Sequence, residues 1–411
     1  MRCSSILLLF LLTFVVDFQV CRSDFSPIQE RTPAGPSLGS IVLPVSGNVY
    51  PLGYYTVSLS VGQPPKLYDL DLDTGSDLTW LQCDAPCTGC TKPRDQQYKP
   101  KNNLVHCKDP LCTAIRTPSA HPCTTALQQC DYEIEYADGG SSIGVLVKDS
   151  FTIRLANNTR LSPQLAFGCG YNQHSSGPAS PPPTSGILGL GNGKAGIVSQ
   201  LVSLGVMRHV LGHCLSTKGG GFLFLGAGPV PSSNIKWAPM SPHTSLEKHY
   251  SSGPAELLID RKPSSVKGLQ VIFDSGSSYS YFNSRAYKAV LDQLRAGLKG
   301  KPLKDATEDK SLPVCWRGAK PSKAVDDVKQ YFKPLVLRFG KDVQYEILPA
   351  AYLVITKHGN ACLGILNGAE VGLGDINIIG DISMQDKIVV YDNEKKRIGW
   401  APASCDRPPK S

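Results

Sequence analysis

The sequence predicts a mostly β protein built as two similar β lobes with a cleft between them. Three observations carry this. First, a strand-like run ending in Asp73-Thr74-Gly75-Ser76 recurs about two hundred residues later as Asp274-Ser275-Gly276-Ser277. Asp, Gly and Ser are common turn residues, so one such tetrapeptide says little. Two copies, each behind apolar strand positions, suggest paired half-sites. Second, each copy is followed by a short apolar run closing on glycine: Gly189 comes 116 residues after Asp73, and Gly380 comes 106 after Asp274. A repeat of that length suits two lobes rather than a solenoid. Third, the 411 residues include 39 Gly and 32 Pro with 18% charged residues, a composition that favours strands and turns over helices.

Taken in order, residues 1–23 read as a signal peptide. Arg2 gives the positive start, and residues 6–16 form an apolar core too short to span a bilayer. Residues 24–52 are rich in Pro, Gly and Ser with little periodicity, and read as a short pro-segment or linker. The N-terminal β lobe is expected over residues 53–235 and the C-terminal β lobe over residues 236–411. Residues 54–60 alternate as a half-buried strand, and Gly62-Gln63-Pro64-Pro65 turns the chain into the Asp73 strand.

Residues 83–130 form a Cys-rich insertion containing Cys83, Cys87, Cys90, Cys107, Cys112, Cys123 and Cys130. A metal could be held by Cys83, Cys87 and Cys90 with His106 and His121 nearby, but the secretory route favours disulfides. Seven is odd, so at least one of these pairs outside the segment, with Cys169, Cys214, Cys315, Cys362 or Cys405. Removing Cys3 and Cys21 with the signal peptide leaves twelve cysteines, enough for six disulfides.

Residues 131–153 read as a β-hairpin turning at Asp138-Gly139-Gly140. Asn157-Asn158-Thr159 is the one N-glycosylation sequon, which makes Asn157 the acceptor. Residues 175–185, with their Pro run, read as a surface loop. Helical period is clearest over residues 194–206 and 284–298, the second with Ser284 as its expected N-cap.

Several function classes are set aside at this stage. The formal net charge of +8 comes without Lys/Arg runs or basic-aromatic interleaving, so it reads as solvated surface rather than a nucleic-acid site. The C-terminus lacks a hydrophobic tail, so no stable membrane anchor is expected. Gly219-Gly220-Gly221 has no following Lys-Ser/Thr and is no phosphate loop, and the eight His form no ligand pair at helical spacing. No cofactor and no metal are expected.

Residues 54–80, 136–144, 186–191, 271–278 and 376–401 together make the chain similar to the pepsin-type (family A1) aspartic endopeptidases. The Cys-rich plant branch, with its nucellin-like and nepenthesin-like enzymes, is the part it resembles. The resemblance implies a bilobal pepsin-like acid protease fold, secreted or vacuolar, glycosylated, made as a zymogen and acting as a monomer on polypeptide substrates. It makes the 131–153 hairpin a mobile flap with Tyr136 as its tyrosine, Trp80 as the tryptophan supporting it, and Cys315 with Cys362 a disulfide. Ala137 and Gly140 depart from the commoner flap pattern. The stretch from Arg22 to the first lobe carries only Arg22 and Arg31 as basic groups that could cover a cleft.

The chemistry follows from two facing carboxyl groups, one protonated and one ionised. Asp73 and Asp274 are the expected catalytic pair: one takes a proton from a water that attacks the peptide carbonyl, the other hydrogen-bonds the carbonyl oxygen. Gly75 and Gly276 permit close approach, Thr74 and Ser275 can bond across the interface, and Ser76 and Ser277 can bond the outer carboxylate oxygens. The alternative is a catalytically weak or inactive binding protein on the same fold, of the glycoside-hydrolase-inhibitor kind. One asymmetry stands out: Asp71 aligns with Ile272 and points to the same side of its strand as Asp73. Either a neighbouring Lys or Arg neutralises it or the turn aims it into solvent, or its charge reaches the pair and raises the pH of action.

Overall fold

The computed structural model describes residues 3–5, 19–21, 39–115, 123–125, 127–175, 183–228, 230, 234–242 and 248–407. It divides into a short unit, residues 1–37, and a large one, residues 38–411. In the short unit, strands Cys3–Ser5 and Gln19–Cys21 pair antiparallel. The remainder of the expected signal peptide, and residues 24–38 of the expected pro-segment, lie outside the described residues.

The large unit is built on a 14-stranded sheet, a seven-stranded sheet and a four-stranded sheet. The first lobe holds one end of the large sheet, with strands Tyr54–Val61, Lys66–Asp73, Gly186–Gly189, Trp80–Gln82, Gln164–His174, Ser141–Arg154 and Asp131–Glu135 side by side. The second lobe holds the two smaller sheets; Lys262–Phe273 and Asn377–Ile379 are neighbours in the seven-stranded one.

Two boundaries differ from the sequence reading. Ile41–Asn48, inside the supposed pro-segment or linker, is a strand hydrogen-bonded between Gly221–Leu225 and Tyr54–Val61. Pro44 and Gly47 disguise it as a breaker-rich stretch, yet Ile41, Val45 and Val49 are buried in the core. Nor do the halves part cleanly at residues 235 and 236. The last two strands, Lys387–Asp392 and Arg397–Pro402, join the large sheet beside Val210–Leu215 of the first half. Disulfide Cys214–Cys405 ties the same junction across 191 residues of sequence. Closing so long a loop in the unfolded chain is worth ~5 kcal/mol on the chain-entropy account.

Among its described residues the insertion holds little regular structure beyond the short helix Pro110–Ile115, and disulfides take its place. Cys87–Cys90, Cys107–Cys123 and Cys112–Cys130 close within it, while Cys83–Cys169 fastens it to the Gln164–His174 strand. Cys315–Cys362 joins two strands of the four-stranded sheet.

The two segments of helical period form the helices Ile197–Ser203, shorter than its periodicity implied, and Ser284–Leu298. The second is capped by Asn283 rather than Ser284: the Asn283 side chain accepts from the Ala286 amide at 2.9 Å, and Ser284 is the first helical residue. Ala286, Val290, Leu294 and Leu298 bury its inner face, while Tyr287 and Leu291 are only half-buried. Among the described residues no helix is long and apolar enough to cross a membrane.

Candidate active site

Alternation along Lys66–Asp73 buries Leu70 and Leu72 on one side and turns Asp71 and Asp73 to the other. The strand runs parallel to Gly186–Gly189, with Gly189 opposite Asp73, and the Leu190 amide donates to the Asp73 carbonyl at 2.7 Å. The second half repeats this. Lys262–Phe273 runs parallel to Asn377–Ile379, and the Asp274 amide donates to the Ile379 carbonyl at 3.0 Å. Both apolar-glycine runs seen in the sequence are therefore the parallel neighbours of the Asp strands. Their glycines are required by close approach: a Cβ on Gly189 would overlap the Leu78 backbone, and one on Gly380 the carbonyls of Ser277 and Tyr279.

Each Asp then sits in its own turn. The Gly75 amide donates to Asp73 Oδ1 at 2.7 Å and the Ser76 hydroxyl donates to Oδ2. The Gly276 amide and Ser277 hydroxyl donate to the matching oxygens of Asp274, both at 2.8 Å. The turns are locked to one another. The Thr74 amide donates to Ser275 Oγ at 3.1 Å and the Ser275 amide to Thr74 Oγ1 at 2.9 Å. The two hydroxyls reach on to the carbonyls of Phe273 and Leu72, at 3.0 and 2.9 Å. Thr74 and Ser275 are buried, so losing either hydroxyl strands partners at a cost of ~1–3 kcal/mol each. The grip brings the carboxyls together so closely that a Cβ on Gly75 would overlap the Asp274 carboxylate and one on Gly276 that of Asp73.

Burial sets the electrostatics. It pushes Asp73 well above the usual carboxylate range, and the neighbouring Asp274 charge pushes the same way; the bonds from Ser76 and Gly75 oppose them. Over this site Asp131–Glu135 and Ser141–Arg154 form an antiparallel hairpin. Just past its first strand, Tyr136 accepts a hydrogen bond from Trp80 Nε1 at 2.6 Å, so the hairpin is tethered to the first lobe. Hairpin, turns and both lobes enclose a cleft of about 820 Å³ that both carboxyls line.

Comparison with known proteins bears on this arrangement. Residues 55–227 match a family model described as xylanase inhibitor N-terminal, and residues 254–402 one described as xylanase inhibitor C-terminal. An aspartic proteinase of Oryza sativa subsp. japonica is 44% identical over 389 residues, covering 92% of this chain and 94% of the relative. The chain belongs to the plant branch of the pepsin-type aspartic endopeptidases. Within that branch, aspartic proteinase nepenthesin-2 of Nepenthes gracilis is 26% identical, covering 86% of this chain and 78% of its own. Among solved structures, basic 7S globulin from soybean aligns with a TM-score of 0.69 at 18% identity, covering 90% of this chain and 96% of that one. An aspartic proteinase from Irpex lacteus aligns at 0.63 and 17%, covering 89% and 98%. At such identities these two establish the pepsin-like fold.

Three residues in or beside this pepsin-type cleft carried no legible signal. Asp381, directly after Gly380, is buried and pushed well above the carboxylate range by burial, then by Asp274, Asp73 and Asp71; its Oδ1 has no partner among the described residues. His249 lines the cleft, its pKa lowered by burial against the pull of Asp274 and Asp77. Thr184, at the end of the stretch read as a surface loop, is buried and donates to Asp71 Oδ2 at 3.1 Å. A lone Asp, His or Thr has no pattern to betray it. Asp71 itself matches neither expectation. It has no Lys or Arg partner among the described residues, and burial pushes it up to about 7, the Thr184 bond opposing, so in acid it carries no charge to pass to Asp73.

Proposed function

We propose that the protein cleaves internal peptide bonds of polypeptides at acidic pH, with a water activated between Asp73 and Asp274. The single observation that carries this is the reciprocal Thr74–Ser275 grip, which holds two identically bonded carboxyls face to face. Aspartic proteases are the standing example of paired carboxyls that cannot both ionise and so share one proton. Burial favours Asp73 as its holder. Asp73 then hydrogen-bonds the scissile carbonyl oxygen while Asp274 accepts a proton from the attacking water. The carbonyl carbon becomes tetrahedral, the leaving nitrogen takes the proton that Asp274 accepted from the water, and the C–N bond breaks without a covalent enzyme intermediate. Tyr136, held by Trp80, closes the hairpin over the substrate.

The six disulfides support maturation in an oxidising compartment, hence secretion or delivery to the vacuole. The exposed turn holding Asn157 supports glycosylation there. The test is cleavage of a denatured protein substrate between pH 3 and 7, with and without pepstatin. Pepstatin-sensitive cleavage in acid is the expected result. An intact substrate at every pH would favour the inhibitor-like binding reading instead.

A further inference from the structure

The duplication that pairs Asp73 with Asp274 breaks at their cross-strand neighbours. Tyr54–Val61 pairs antiparallel with Lys66–Asp73, Thr56 opposite Asp71, so the same register carried two residues on sets Tyr54 beside Asp73. Ser251–Ile259 pairs in the same way with Lys262–Phe273, Ser251 opposite Ile272, and two residues on His249 falls beside Asp274. Both Tyr54 and His249 line the cleft. One half therefore presents a phenol and the other an imidazole, which turns cationic in acid where a phenol stays neutral.

Both chain neighbours of His249 are fixed. The Lys248 carbonyl accepts from the Asn192 amide at 2.9 Å, just past the glycine run of the first lobe. The Tyr250 carbonyl accepts from the Phe273 amide at 2.9 Å, and the Tyr250 hydroxyl donates to the Leu190 carbonyl at 2.7 Å. His249 is thus pinned between the loop that supports Asp73 and the strand that carries Asp274. Its ring is half-buried, with Nδ1 sealed and without a partner among the described residues, which leaves its other edge to the cleft.

Among the described residues three charged groups act on this ring: Asp274 across the ladder, Asp77 from the turn after Asp73, and Lys248 beside it. Lys248 Nζ lies 3.1 Å from Asp77 Oδ2, so those two offset each other and Asp274 remains as the counter-charge of the imidazole. Burial works against a proton on the ring, and the two carboxylates draw it back.

We propose that His249, cationic in acid, steadies the negative charge of the Asp73–Asp274 pair and so carries cleavage to lower pH. The inference rests on the catalytic reading above. The working pair holds one proton and one negative charge. As pH falls the pair gains a second proton, and cleavage stops because no carboxylate is left to accept the proton of the water. A cation alongside opposes that gain, so the acid limb of the activity profile lies lower than the two carboxyls alone would set it. His249 acts through the pair and is a positioning residue in the electrostatic sense.

The experiment measures kcat/KM against pH, at fixed ionic strength, on a peptide without ionisable side chains. Wild type is compared with His249→Gln, with His249→Tyr, which copies the Tyr54 side of the duplication, and with His249→Lys. The midpoint of the acid limb should rise by about 0.5 pH unit or more in the Gln and Tyr variants. In His249→Lys it should return close to the wild-type midpoint, because the lysine restores the charge without the ring. An unmoved acid limb, or a lysine variant that behaves like the glutamine one, overturns the inference and leaves the catalytic reading standing. Should wild type cleave nothing, the catalytic reading fails, and the His249 titration followed by NMR then decides. Asp73→Asn combined with Asp274→Asn removes the pair's charge and should lower the His249 pKa by about 0.5 unit or more; an unchanged titration overturns the coupling.

Discussion

The two Asp turns share their hydrogen bonds and differ in their surroundings. Asp73 is 5% exposed and sits beneath the Trp80-tethered hairpin, whereas Asp274 is only half-buried. Beneath them the support also differs. Asp274 follows Phe273, which packs against Trp400 from the final strand and Tyr345, at ring-centroid distances of 5.8 and 5.3 Å. Asp73 follows the aliphatic Leu72. Two positions before each Asp, one half has half-buried Asp71 and the other buried Ile272. A duplicated sequence can therefore hold two carboxyls in matched geometry while their burial differs. Identical roles do not follow from identical turns.

The largest break in that comparison comes from removing either carboxyl. Asp73→Asn and Asp274→Asn should each lower kcat/KM at least a thousandfold, with circular dichroism and Tm showing the fold retained, because each removes half of a proton-sharing pair. A middle-sized effect separates the glycines. A Cβ on Gly276 would press on buried Asp73, and one on Gly75 on half-exposed Asp274, which has room to yield. Gly276→Ala should cost more activity than Gly75→Ala, by about tenfold in kcat/KM; equal losses would mean that the burial difference is immaterial.

The smallest effect belongs to the Asp71–Ile272 pair. Burial lifts Asp71 to about 7, from roughly 3.9 in an unfolded chain. Its folded state resists ionisation, so its stability contribution is fully present below ~4 and is lost as pH rises through ~7. Asp71→Asn removes that titration. It should leave Tm unchanged at pH 4 and raise it by a few degrees at pH 7.5, measured by scanning calorimetry in one buffer series. A constant difference across pH would place Asp71 in contact with solvent.

The parts of this that could be read from the sequence were those with two copies or a parity to count. The Asp turns and their apolar-glycine neighbours were visible because the duplication repeats a local pattern at a common spacing. The stitching of the insertion to its lobe followed from an odd number of cysteines, and Cys83–Cys169 is that stitch. What stayed hidden depends on tertiary neighbours. Ile41–Asn48 is a strand because two flanking strands accept it, despite Pro44 and Gly47. Asn283 outcompetes Ser284 as a cap by one residue of register. His249 and Thr184 acquire meaning only when distant segments fold around the cleft, and Asp381 only when it is buried beside the catalytic pair. For Asp71 the strand face was legible, but a threonine 113 residues away supplies its partner.

The central claim is that Asp73 and Asp274 work as one unit, and a double-mutant cycle tests it most directly. Residues acting as a unit are strongly non-additive: once one is gone, the other has little left to lose. With kcat/KM measured at the acid optimum on one peptide, the account predicts that Asp73→Asn with Asp274→Asn is no more than about tenfold worse than either single variant. Losses that multiply, or a folded single variant that keeps a tenth of wild-type activity, would contradict it.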